Sequence, residues 1–361
     1  EAKADLEQAQ QAAQRTKNGA RQAQVEMAGA LLALSVGASR EAGEHLNKAG
    51  MLLEPVDEPR LKMELANLQG IHAWRAGRLD DAEGLYHGVI EIGDTLSDLT
   101  YVANAYNNLG LIAYSKGDLH RAFELHSKAL KVRQQMDDLW GQAASHNNIG
   151  IVFENNNHED SAEREYLQAL NLARTTGFRE VETAALANLG QCAENKGLFP
   201  QSLEYNSRSL DLATRLGDRR SQAIALDNLG NTHYLCGLFS EAQDKHGAAL
   251  RLAESLDDGD ICCRALLGLC FDLINGGKTD EAESLCDRAE QIVVRLGFNE
   301  TRPRLYRARA ELLLARGDIP GAQDEASKAM RSAQEMHLRA EETRATVLWN
   351  RLRQDKSGNG K

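Results

Sequence analysis

The tetrads Asn107-Asn108-Leu109-Gly110, Asn147-Asn148-Ile149-Gly150, Ala187-Asn188-Leu189-Gly190 and Asp227-Asn228-Leu229-Gly230 return every 40 residues. A period of this size confines the chain to repeat architectures, in which each unit buries its apolar face only against its neighbours. The register extends both ways: Gly70 precedes the series, and Cys270 and Ala310, both small, continue it. Seven residues after each marker stands a turn residue: Gly77, Gly117, Asn157, Gly197, Gly237, Gly277, Gly317. Five further on comes a small residue: Ala82, Ala122, Ala162, Ser202, Ala242, Ala282, Ala322. After seven more there is another: Gly88 or Val89 first, then Ala129, Ala169, Ser209, Ala249, Ala289, Ala329.

Between the markers, apolar residues recur at three- and four-residue spacings, as Ala122, Leu125, Ala129, Leu130 and Val132 do, which is the period of an amphipathic helix. Only 5% of residues are aromatic and five are proline, while Ala, Leu, Glu, Gln and Arg, which lose little side-chain freedom in a helix, dominate. The fold class is all-α. Each repeat reads as helix A, a glycine turn, helix B and a polar linker. Gly177, Gly217 and Gly297 stand at the exit of helix B, where a left-handed C-cap favours glycine. Glycine inside helix A costs about 0.5–1 kcal/mol relative to alanine. Its recurrence implies that the backbone of another helix presses on the site.

Read backwards, Ala30, Gly37, Ala42 and Ala49 mark an earlier repeat, and Ala2 and Ala9 take helix B positions before it. Eight helix pairs of 40 residues are therefore expected over 20–338. Residues 1–19 read as half a repeat or an N-terminal capping helix, 339–354 as a C-terminal capping helix, and 355–361 as a disordered polar tail. An opening inside a repeat is what a fragment of a longer protein shows, and a lone cap looks the same.

The N-L-G marker, the glycine turn and the A-x6-A pattern on the second helix resemble the tetratricopeptide repeat family. The resemblance is closest to the longer-period kind found in kinesin light chains, LGN-type spindle adaptors and bacterial signalling proteins. It covers nearly the whole chain and is most specific over Tyr101–Asp258. Two departures stand out. The large aromatic before the glycine is Tyr106 once but His146, Leu186 and Leu226 elsewhere, and the helix-ending proline is absent. The resemblance implies a right-handed superhelical α-solenoid whose A helices line the concave face and hold an extended peptide.

Carried over position by position, the residue two before each glycine faces that groove: Asn108, Asn148, Asn188 and Asn228. An amide both donates and accepts, so evenly spaced amides grip a peptide backbone of any sequence. The alternative role is structural, with the amides bonded to adjacent helices and fixing the superhelical pitch. Asn107 and Asn147 precede the ladder; Asn231 follows it, with Leu111, Ile151 and Gln191 at the same position. Tyr114, Glu154, Glu194 and Tyr234 come a turn later, with Trp74 upstream. Ordinary packing is the competing role for each aromatic. These positions carry no Lys or Arg, so the basic carboxylate clamp of chaperone-binding relatives is missing. A lining of amides, tyrosines and carboxylates instead favours a peptide partner with a basic residue and an apolar anchor. Farther on, Arg304 and Arg307, with Glu311 beyond, read as a solvated charged face, the alternative being contact with an acidic ligand segment.

Other function classes find little support. A net charge of −11 opposes nucleic-acid binding, which draws its affinity from neutralised phosphates. No apolar run approaches the ~20 residues of a membrane span. The six cysteines, without a C-x-x-C pair or histidines at zinc spacing, read as small buried hydrophobes in a reducing, cytoplasmic setting. Gly276-Gly277-Lys278-Thr279 lacks the earlier glycine of a phosphate loop, since position 272 is Asp272. Asp257-Asp258-Gly259-Asp260 lacks the closing glutamate of a calcium loop, and Asn299-Glu300-Thr301 is a formal sequon only. His120, Glu124 and His126 miss zinc-protease spacing, and His233 reads as a satisfied core histidine. No nucleophile–base–acid set assembles and no cofactor is expected. The expectation is a non-catalytic scaffold that binds protein or peptide, as the sensing or regulatory segment of a larger signalling protein. In the alternative, the repeats are a linker or autoinhibitory arm of a multidomain enzyme or transcription regulator.

Overall fold

The computed structural model describes residues 2–16, 18–156, 158–297, 299–336 and 338–358, which form eighteen α-helices and no strand. The chain divides into two compact units, Glu1–Ser145 and His146–Lys361. In the first, α1 (Ala2–Thr16) is followed by the pairs α2 (Gly19–Ser35) and α3 (Ser39–Leu53), α4 (Pro59–Arg75) and α5 (Leu79–Leu96), and α6 (Leu99–Ser115) and α7 (Leu119–Gln135). The unit boundary falls within α8 (Leu139–Asn155), which pairs with α9 (Glu159–Thr176). The second unit continues through α10 (Arg179–Asn195) with α11 (Phe199–Leu216), and α12 (Arg219–Leu235) with α13 (Phe239–Leu256). It ends with α14 (Gly259–Asn275) and α15 (Thr279–Leu296), α16 (Arg302–Ala315) and α17 (Ile319–Glu335), and a last helix α18 (Arg339–Gly358). Residues 355–358, expected in a polar tail, thus belong to α18; 359–361 lie outside the described residues.

Local chemistry sets the helix ends. Asp98, Asp118, Asp218, Asp258 and Asp318 each accept a bond from the backbone N–H three residues on, satisfying one of the orphan donors of a first turn. The A-to-B turns at Gly37, Gly77, Gly117, Gly197, Gly237, Gly277 and Gly317 all lie at φ between 73° and 82°, the left-handed region where a side chain is strained. Asn157, expected at the eighth such turn, lies outside the described residues. Gly177, Gly217 and Gly297 close their B helices at φ 74°, 68° and 71°, and Ser97, Asp137 and Asp257 take the same conformation at equivalent positions without being glycine.

The small residues of helix B are the tightest points of the core. Ala82, Ala122, Ala162, Ser202, Ala242, Ala282 and Ala322 have no exposed surface, nor do Ala129, Ala169, Ala249, Ala289 and Ala329. Val89, buried, and not the half-buried Gly88, occupies the second position in its repeat. The helix A glycines work differently from the expectation. The nearest atoms to each belong to a side chain sixteen residues later on their own helix B. A Cβ on Gly70 would sit 2.8 Å from the Tyr86 ring, on Gly110 2.6 Å from His126, on Gly150 2.5 Å from Tyr166 and on Gly230 2.5 Å from His246; Gly190 faces Asn206 in the same way. Glycine is therefore a notch into which helix B inserts a ring or amide. Two later repeats fill the same contact with smaller pairs: Cys270 faces Cys286, and Ala310 and Ala326 are both fully buried.

His126 is 1% exposed in its notch, and among the described residues its Nδ1 has no hydrogen-bond partner. Burial, with the Arg133 charge adding to it, pushes its pKa down to about 4.

Two predictions follow from this packing. Gly150→Leu or Ala162→Leu should destabilise by about 1–3 kcal/mol or more through overpacking, read as a fall in Tm; an unchanged Tm for either would refute the register. Between the folded pKa of about 4 and the ordinary 6.5, the unfolded chain holds the His126 proton and the folded chain does not. Stability present above pH 6.5 is accordingly lost as pH falls toward 4, by up to about 3 kcal/mol at 1.36 kcal/mol per unit. His126→Tyr, with the residue found at 86 and 166, should flatten the Tm–pH profile over that window, and an unaltered profile would count against a neutral buried imidazole.

Candidate functional site: the polar face of the A helices

In the first unit, α6 carries Asn107, Asn108 and Tyr114, all half-buried. Asn108 hydrogen-bonds Tyr86, the side chain filling the preceding notch, whose pKa burial pushes up to about 12 against that bond. One rung of the amide ladder is thereby tied to the packing of the repeat before it.

In the second unit the ladder is engaged more heavily. Asn188 of α10 donates to Asn147 Oδ1 of α8 at 3.0 Å, and Asn148 lies half-buried beside it. Asn228 is buried, donating to the notch residue Asn206 at 3.3 Å and accepting from Arg264 of α14 at 3.0 Å. Asn228 stands to Asn206 as Asn108 does to Tyr86. Asn231 accepts from Arg304 of α16 at 2.9 Å and donates to Asp227 at 3.4 Å. Within each unit the expected residues do share the A-helix face. Their amides, however, are joined to the fold as well as presented by it.

The expected carboxylates and tyrosine also have internal partners. Glu154 accepts from the Tyr166 hydroxyl at 2.7 Å, and burial raises its pKa against that bond. Glu194 is buried and accepts from Thr232 at 3.0 Å and Arg344 at 3.3 Å, so its charge is already met from within. Tyr234 packs edge-on to Phe239, with ring centroids 5.5 Å apart, and its hydroxyl accepts from Asn275 at 2.9 Å.

Of the residues that organise this face, sequence reasoning missed Arg264 and Arg344 and read Arg304 as solvated. Arg264, Arg304 and Arg344 occupy one register position, 40 residues apart, on α14, α16 and α18. Arg264 pairs at 3.0 Å with Asp227, which has no exposed surface; burial opposes ionisation of Asp227, but Arg264 and Arg304 hold its pKa below normal. Arg344 joins Glu341 at 3.0 Å as well as Glu194. Against burial, Arg307, Arg344 and Arg304 keep the Glu341 carboxyl at about 2. Arg307 lies 4.3 Å from the Phe271 ring centroid and pairs with Glu341 at 3.0 Å. Arg304 and Arg307 are thus knit into a buried cluster, and the solvated face expected of them is not found. The signal was available, because the column obeys the same period as the glycines.

Beside this cluster, His246 is 1% exposed and its Nδ1 meets Asp272 Oδ2 at 2.7 Å. His233, expected as a satisfied core histidine, is half-buried, and its Nδ1 is one of the buried polar atoms without a partner among the described residues; Asp227 Oδ1, Asp272 Oδ1 and Arg304 Nε are others. Among the described residues no cluster fit for a metal ion occurs, and no helix is long and apolar enough to cross a membrane. Cys236 is exposed, unlike the other five cysteines.

Tandem antiparallel hairpins in a 40-residue register, with polar side chains gathered on the A-helix face, define a helical-repeat scaffold. The tetratricopeptide repeat family profile matches residues 62–135, 101–175 and 182–255, and the chain belongs to that family. No curated protein sequence matches it. Among solved structures, it is similar to the Rap conjugation gene regulator of plasmid pLS20 in complex with the Phr* peptide: TM-score 0.64, 14% identity, 84% of this chain and 86% of that one. It is likewise similar to a Rap protein complexed with competence and sporulation factor (TM-score 0.60, 14% identity, 93% and 99% covered). A third likeness is to a signal-transduction ATPase with a tetratricopeptide repeat sensor from Pyrococcus horikoshii (TM-score 0.59, 13% identity, 90% and 49% covered). At these identities the likeness is one of fold.

Proposed function

We propose that the chain is a non-catalytic, cytoplasmic scaffold that binds a protein or peptide through the polar faces of its A helices, as the sensing or regulatory part of a signalling protein. The observation carrying this reading is the gathering, within the second unit, of polar side chains from α8, α10, α12, α14, α16 and α18 on one face, linked across repeats by Asn188–Asn147, Arg264–Asp227, Arg304–Asn231 and Arg344–Glu194. Links spanning up to 150 residues require these helices to curve toward a common interior. Such an interior, lined by half-buried amides such as Asn148, Asn188 and Asn231, is suited to an extended guest. One of the similar structures is named as a complex with a peptide and another as a complex with competence and sporulation factor, which is consistent with ligand binding here. Asn148 and Asn188, half-buried on this face, are the rungs proposed to reach a guest.

The Arg344–Glu194 pair favours a second reading, in which α18 covers part of this interior and a partner must displace it.

Two measurements test these readings. Fluorescence polarisation with labelled peptides carrying a Lys or Arg and an apolar anchor should show binding that Asn148→Ala with Asn188→Ala weakens at least about tenfold, or 1.4 kcal/mol, at unchanged helicity. Retained affinity would make the ladder architectural. Arg344→Ala should strengthen binding if α18 is a cover; equal or weaker binding would remove the self-occluded reading.

A further inference from the structure

The seventh helix pair, α14 with α15, differs from the others at its notch. In five repeats the helix A marker is glycine and the residue sixteen later fills it, while in α16 and α17 the two positions are Ala310 and Ala326. Only here are both positions cysteine. The clash of any added Cβ with the ring in the glycine repeats shows that these positions face each other side chain to side chain, so the approach of Cys270 to Cys286 is imposed by the register. Their Sγ atoms lie 2.8 Å apart. That is inside ordinary non-bonded contact of about 3.5–4.0 Å and close to the roughly 2.05 Å of a disulfide. Both residues are buried, at 0% and 1% exposure, and the other three buried cysteines take no part in the contact.

We propose that Cys270 and Cys286 are a redox modification site: a dithiol that a small-molecule disulfide of the glutathione type converts into a staple between α14 and α15. One thiolate attacks the oxidant and releases one reduced thiol. The second cysteine then displaces the other half of the oxidant, forming the Sγ–Sγ bond. Two protons and two electrons leave the protein, and two small thiols are produced. The Cys286 contact and burial raise the Cys270 pKa well above the ordinary thiol range, so the closed repeat holds the thiol form and exchange waits on opening of the hairpin. In a reducing compartment the pair stays reduced, and oxidation becomes a transient event of the kind redox sensors use. The staple would tie one A helix to its B helix beside Phe271 and Asp272, which border the arginine cluster.

The test refolds the full chain from denaturant in a reduced/oxidised glutathione buffer, quenches with acid, alkylates free thiols and maps peptides. The expected product is a single internal cross-link joining 270 to 286, reversed by a reductant and absent from Cys270→Ala/Cys286→Ala. That variant copies the adjacent Ala310/Ala326 pair and is expected to fold. Oxidation should raise Tm by at least roughly 2–4 °C in the wild type and leave the double variant unmoved. A chain that refolds with all six thiols alkylatable, or links 270 or 286 to another cysteine instead, overturns the proposal.

Discussion

The contact on which the structure depends is the insertion of a helix B side chain into a notch on helix A. Gly70, Gly110, Gly150, Gly190 and Gly230 each receive a ring or an amide, and the Cys270–Cys286 and Ala310–Ala326 pairs solve the same volume problem with different residues. Helix B alanines without exposed surface let the hairpins approach closely enough for the notch to be filled. Glycine's cost inside a helix is offset because an interior at crystal-like density penalises both a void and an extra methylene.

A second layer of interactions grows from the first. Asn108 and Asn228 bond to Tyr86 and Asn206, side chains that already fill notches, so the polar A-helix face is positioned by the apolar packing beneath it. In the second unit this face becomes an ionic network in which three carboxylates each have an arginine: Asp227 with Arg264, Glu341 with Arg307, Glu194 with Arg344. Removing one member of such a pair leaves the other charged and desolvated, so the network resists piecemeal change. A ligand entering this face must exchange partners with it as well as fill space.

The architecture was legible because a small residue at a crowded contact has few substitutes, and the period therefore shows in the residue types. Less was legible of the site. Asparagine has one identity in the sequence whether it lies half-buried on the A-helix face, as Asn148 does, or sits between Asn206 and Arg264, as Asn228 does. Partnership across repeats depends on curvature, which no spacing rule reports; Glu194 and Arg344, 150 residues apart, share no pattern within one repeat. The notch partner itself varies from Tyr to His to Asn, so its column escaped notice although its position never moves. The left-handed caps at Ser97, Asp137 and Asp257 were hidden for a like reason, the conformation being kept where the glycine is not.

Stacks of helical hairpins are usually quasi-one-dimensional, each hairpin touching only the next, so that the ends fray independently. The arginine column changes this in the second unit. Arg304 connects α16 to α12, and Arg344 connects α18 to α10, skipping the intervening pairs. Such ties close the stack into loops. Melting of its final helix is then coupled to the middle of the unit, and whatever loosens α18 is felt at α10, four repeats away, without any signal having to travel hairpin by hairpin.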